Sequence, residues 1–163
     1  RAPPSQQQRV VGIETNSIAA PELSNEELLR MWREDIMPSF QDRIRMRWVQ
    51  NLVHRGIPRV VRGPAWLQMI GNPEKLDEER YQALLSTCGQ IGSTIPGVDE
   101  IPLDLPRTHF GGRGVDPTQL LPVLQAVSTL RPEIGYVQGM GYVGAMFLLF
   151  MGPVEAFVGM GNM

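Results

Sequence analysis

The sequence predicts an all-α fold, and three observations carry that prediction. Residues suited to capping helices recur ahead of apolar runs, as at Ser24, Asp77 and Asp116. Apolar residues repeat at three- and four-residue spacing, the period of one helix face. No stretch shows the apolar–polar alternation of a strand, and no internal repeat is visible. At 163 residues the chain is long enough for one domain with a real core.

Residues 1–23 read as a flexible tail, polar and proline-containing at the start and without periodicity. Residues 24–55 read as a helical extension. Ser24 and Glu27 have capping-box spacing, and Leu28, Leu29, Trp32 and Ile36 follow at helical intervals until Pro38 ends the run. A second helix is expected from Asp42 to Arg55, with Ile44, Trp48, Val49, Leu52 and Val53 on one face and Gly56 as its stop. Its Arg43, Arg45 and Arg47 form a basic cluster that reads as a solvated face. Residues 56–163 read as the main domain. A short helix is expected from Pro64 to Ile70, closing at Gly71. Asp77 should cap a helix carrying Tyr81, Leu84, Leu85 and Cys88, with a loop over 89–97. Pro106 biases Leu105 away from helical backbone, so a bend is expected there. Gly111 to Gly114 reads as a flexible loop. Asp116-Pro117-Thr118-Gln119 then opens a helix with Leu120, Leu124, Val127 and Leu130 on its apolar face. A last apolar segment runs from about Tyr136 onward.

Composition excludes several classes. Hydrophobic residues make up 42% and charged residues 20% of the chain, ordinary globular usage. A net charge of −2 supplies no basic field for nucleic acid or anionic lipid. The lone Cys88 permits no internal disulfide and no cysteine-rich zinc site, which fits a reducing, cytoplasmic setting. His54 and His109 lie far apart and read as loop or helix-surface residues, not metal ligands. Ile134 to Val154 carries no formal charge and could span a bilayer by length alone. Gln138, Pro153, several glycines and two tyrosines favour burial in a protein core instead.

Nucleotide chemistry needs a built phosphate site. A P-loop requires a Gly-Lys pair, and none occurs; no dinucleotide-binding glycine turn, H-E-x-x-H, Cys/His cluster or G-x-S-x-G is present. The chain is therefore expected to have no nucleotide or metal cofactor of its own. The informative stretch is Ile101-Pro102-Leu103-Asp104-Leu105-Pro106-Arg107-Thr108, with one acid and one Arg among apolar neighbours. Taken alone, it reads as a surface Asp–Arg pair, worth little. Gln138 alone reads as an amide satisfying backbone groups within an apolar segment.

Three signatures in order change that reading. They are R-x-x-x-W at Arg62 and Trp66, I-x-x-D-x-x-R at Ile101, Asp104 and Arg107, and Y-x-Q at Tyr136 and Gln138. With the flanking G-x-P, L-P-R-T and G-Y-x-Q-G-M, the chain from near Gly56 to its end resembles the TBC domain, a GTPase-activating module for Rab-type small GTPases. The resemblance implies an all-helical fold and a GTP-bound Rab-type GTPase as partner, with GTP and Mg²⁺ carried by that partner. It implies an arginine finger at Arg107 and a glutamine finger at Gln138, acting in trans. Asp104 would orient Arg107, Tyr136 would hold the Gln138 loop, and Arg62 and Trp66 would be chiefly structural. The two residue types suit this chemistry, because a guanidinium meets charge developing on the phosphates and an amide can hold the attacking water. The expected setting is cytoplasmic, including the cytosolic face of endomembranes through the GTPase, in vesicle trafficking. The same resemblance implies that about half of a TBC domain is present, with a C-terminal helical lobe missing. A second class stays open on that account: an inactive TBC-like fragment that binds a GTPase or acts as a scaffold.

Overall fold

Ser24 starts the first helix through the reciprocal bonds its spacing suggested. Its Oγ accepts the Glu27 N–H at 3.3 Å, and the Glu27 carboxylate accepts the Ser24 N–H at 2.9 Å. The Ser24 hydroxyl also donates to the Glu27 carboxylate at 2.7 Å; that bond first, and the Ser24 N–H second, favour the charged form and hold the Glu27 carboxyl below its usual range. The computed structural model describes residues 23–91, 94–110 and 113–163. The tail reading therefore lies outside the described residues up to residue 22, as does the middle of the glycine loop at 111–112.

Helix α1 spans Asn25–Met31 and continues through a π-helical turn, Trp32–Ile36, into a 3-10 turn, Met37–Ser39. The backbone leaves the helical region at Ser39 (φ −126°, ψ 39°), one residue past the stop expected at Pro38, and α2, Phe40–Arg43, follows. Pro38 is tolerated because it sits in the first positions of the 3-10 turn, where its missing N–H is not needed. Burial drives the continuation. Trp32, Ile36 and Phe40 recur every fourth residue and all enter one core with Val49, Leu52, Ile57, Val61 and Ala65. The helix expected over 42–55 is split: after α2 the chain bends, and α3 runs Arg47–Arg55 to Gly56. Arg43 turns back to pair with Asp35 instead of joining a basic face.

Helix α4 spans Arg59–Ile70, so its start lies at Arg59, not Pro64. Pro64 falls inside it and leaves the Val60 carbonyl without an intrahelical donor. Val60 is exposed, so water can serve that carbonyl. Helix α5, Glu78–Ile91, begins where Asp77 Oδ1 accepts the Arg80 N–H at 2.8 Å, and it buries Tyr81, Leu84 and Cys88. It extends past Gly89, into the span expected to be loop.

The bend expected at Leu105 is absent. A 3-10 turn at Val98–Glu100, helix α6 at Ile101–Asp104 and a 3-10 turn at Leu105–Arg107 make one helical path, with Leu105 itself in right-handed helical backbone. Pro102 and Pro106 each sit at the start of a helical segment, where no N–H is required. The buried side chain of Ile101 anchors this path, and that outweighs the local pre-proline bias. The chain turns at Thr108 instead. Next come two-residue strands, β1 (His109–Phe110) and β2 (Arg113–Gly114), paired antiparallel. The fold is otherwise helical, as expected, with no sheet core among the described residues.

Helix α7, Pro117–Leu130, is the central element and packs against α5, α8 and α9. Its cap is Asp116, as read, and the side-chain partner is Thr118. Asp116 Oδ1 accepts the Thr118 N–H at 2.9 Å and its hydroxyl at 2.7 Å, which lowers the Asp116 pKa. The uncharged run from Ile134 to Val154 is not one helix. It forms a loop, then α8 (Met140–Leu148), and enters α9 (Pro153–Gly161) after Gly152. No helix among the described residues is long and apolar enough to cross a membrane. Gly159 and Gly161 weaken α9 intrinsically but let it pack closely: a Cβ at Gly159 would lie 2.9 Å from Phe147.

Candidate functional site

Two segments meet to make the site. One is the helical path 101–108; the other is the loop and first turn of α8, residues 136–142. They are brought together by an interlock with the loop before α6. The Tyr136 N–H donates to the Pro96 carbonyl at 2.8 Å. Gly97 (φ +72°) and Gly135 (φ +66°) both have left-handed backbone, and a Cβ on either would collide with the opposite side of the interlock, at the carbonyls of Tyr136 and Pro96 respectively. Neither position has room for a side chain.

This placement aims Tyr136 at Asp104. Its phenol donates to Asp104 Oδ2 at 2.9 Å across 32 residues of sequence. Tyr136 is only 5% exposed, and its pKa is pushed up to about 12, by burial first and then by the bond to Asp104. Asp104 is therefore held by Tyr136. The direct Asp104–Arg107 pair expected from the sequence does not form: among the described residues the ion pairs are Arg43–Asp35 and Arg131–Glu74. Arg107 is fixed through its backbone instead, because the Tyr142 hydroxyl donates to the Arg107 carbonyl at 2.9 Å. Thr108, also buried, donates from Oγ1 to the Asp104 carbonyl at 3.0 Å and tightens the same turn.

Gln138 sits in a tight turn. The Met140 N–H donates to the Val137 carbonyl at 3.0 Å, closing Val137-Gln138-Gly139-Met140. Gly139 has φ +100° and ψ −17°, close to the third position of a type II turn. Open space surrounds the direction a Cβ would take there, so only the backbone demands glycine. The turn holds Gln138 exposed.

Asp104, Arg107, Thr108, Tyr136, Gln138 and Tyr142 line one open cavity of about 300 Å³. Arg107 and Gln138 are exposed, and among the described residues neither the guanidinium nor the amide is tied up by a hydrogen bond or ion pair. The amide is thus not the buried group that Gln138 alone suggested. Of the other sequence candidates, Ile101 is fully buried and anchors α6. Arg62 and Trp66 lie elsewhere. Arg62 donates from Nη2 to the Ile57 carbonyl at 2.7 Å and stacks over Phe150 at 4.7 Å. Trp66 meets Phe147 and Phe150 edge-on, at 5.9 and 5.1 Å. Both fasten α4 to the end of α8. Sequence reasoning missed Tyr142, which nothing in its local pattern marks, and gave Thr108 no role although it stands in the L-P-R-T signature. No group of three or more His, Cys, Asp or Glu among the described residues is placed to hold a metal ion.

Residues 59–163 match the family model of the Rab-GTPase-TBC domain, and the chain belongs to that family. TBC domains as a family are GTPase-activating modules for Rab-type GTPases. The chain is similar to TBC1 domain family member 14 of Bos taurus, 29% identical over 157 residues, covering 81% of this chain and 23% of that protein. It is also similar to TBC1 domain family member 12 of Rattus norvegicus, 26% identical over 156 residues, covering 82% of this chain and 22% of that protein. A TBC domain-containing protein of Schizosaccharomyces pombe is 34% identical over 116 residues, covering 67% of this chain and 15% of that protein. The chain thus spans less than a quarter of the length of these relatives.

Proposed function

We propose that this chain activates a Rab-type GTPase by lending Arg107 and Gln138 to the partner's GTP site in trans. The observation that carries the proposal is their shared cavity: a guanidinium and an amide without a bonding partner among the described residues, each on a braced backbone, line one opening. Phosphoryl transfer needs charge neutralisation beside the phosphates and a water held in line, and these two groups divide that work. The partner brings GTP and Mg²⁺, and this chain brings neither nucleotide nor metal. Tyr136 and Asp104 act as braces. Action on a membrane-attached GTPase would bring the chain to the cytosolic face of endomembranes, in vesicle trafficking.

The test is stimulated GTP hydrolysis by GTP-loaded Rab-type GTPases. Arg107→Ala should cost about 10³-fold in acceleration, within the range known for arginine fingers, and leave GTPase binding largely intact. Arg107→Lys should rescue poorly, because an ammonium lacks the planar fork. Gln138→Ala should slow hydrolysis too, and the double change should cost less than the product of the single ones, since both act on one transition state. Full acceleration in both single variants would remove the catalytic reading. GTPase binding by a wild-type chain that gives no acceleration would support the scaffold reading.

A further inference from the structure

The turn that carries Gln138 is closed from both sides by one residue, Met140. Its N–H donates to the Val137 carbonyl at 3.0 Å, and its Sδ accepts the Val137 N–H at 3.2 Å. Gln138 and Gly139 lie between these two contacts. Gly139, at the cap position of α8, has no side chain of its own to hold this turn. The rest of the Met140 side chain packs against two buried clusters, one containing Ile101, Leu124 and Tyr136 and the other containing Phe157. It also lines a second cavity, with Met160 and Ile134.

We propose that Met140 is a positioning residue for Gln138: its thioether ties the exposed turn to the core and limits where the amide can point. This rests on the reading of Gln138 as the group that holds water. Residue type supports the proposal. Leucine would fill the same volume but offer no acceptor. Glutamine would offer an acceptor but bury an amide. Methionine is apolar and adaptable enough for the core and is still a weak acceptor. Because Val137 is exposed, losing the sulfur would let water take its N–H, so the turn would loosen without unfolding.

The test is Met140→Leu in the full chain, with two readouts. The first needs no GTPase: amide hydrogen exchange of Val137 should quicken about two- to tenfold, the scale of one net hydrogen bond, while the Phe147 amide deeper in α8 stays protected as in wild type. The second uses a GTPase that the wild-type chain accelerates: kcat of stimulated hydrolysis should fall about two- to tenfold at unchanged KM. Unchanged Val137 exchange would overturn the proposal. So would a uniform rise along α8, which marks lost packing, or a change in KM with kcat intact. If Gln138→Ala costs no acceleration while Val137 exchange still responds to Met140→Leu, the function assigned to Gln138 fails and the sulfur contact stands as a brace alone.

Discussion

Tyr136 joins the two halves of the site at one atom. Tyr136→Phe keeps the ring in its core and removes the donor to Asp104. The expected loss is about 1–3 kcal/mol of stability, from a half-buried carboxyl left without its partner, together with a fall in stimulated hydrolysis; urea unfolding at pH 8 measures the first part. The pH dependence has a defined sign. The folded-state pKa of Tyr136 is raised to about 12, above the value of about 10 expected unfolded. The stabilisation is therefore complete below pH 10 and lost as pH rises through 12. Wild type should lose more stability than Tyr136→Phe between about pH 10 and 11.5, and parallel unfolding midpoints would contradict this. The signatures that carry the family resemblance singled out Asp104, Arg107, Tyr136 and Gln138, and these four line one cavity. Their partners were not legible in the sequence. Sequence proximity pointed Asp104 at Arg107, whereas a phenol 32 residues away took the carboxyl and Tyr142 took the Arg107 carbonyl. Hydrogen-bond partners depend on where side chains converge, which local spacing does not encode.

Among elements, caps and stops were the most readable features because their chemistry is local. Ser24, Asp77, Asp116, Gly56 and Gly71 all stand at the helix ends assigned to them. Asp116→Ala should cost about 1 kcal/mol, read from thermal or urea unfolding, because the first turn of α7 loses a side-chain acceptor. Prolines misled the reading twice. Pro106 lies within a continuous helical path, and Pro64 lies inside α4. Their local penalties are real, but burial of Ile101 and Ala65 nearby outweighs them. The interlock of 95–98 with 134–137 left no local trace beyond two glycines. Gly135→Ala should cost about 1–3 kcal/mol from backbone strain, and more from contact with the Pro96 carbonyl. It should also reduce hydrolysis more than its stability loss explains, since Tyr136 would shift away from Asp104. Activity measured well below the unfolding temperature separates the two effects.

At the scale of the molecule, α7 organises the described fold, with α5, α8 and α9 around it. Phe157 on α9 is fully buried and meets Tyr81 of α5 at 5.2 Å, so it ties together helices far apart in sequence. Phe157→Ala should destabilise by about 3–5 kcal/mol, and urea unfolding that shows a loss under about 1 kcal/mol would mean that this core collapses freely around the gap. By itself the sequence determined the helical class, the sites of most caps and the motifs that carry the family resemblance, because helical periodicity, capping and motif spacing are properties of short stretches. The tertiary structure alone decided that the long uncharged run breaks into α8 and α9, that Asp104 answers to Tyr136, and that Arg107 and Gln138 open onto one cavity. Those outcomes depend on contacts across α7, where the burial of whole faces overrides the preferences of any single residue.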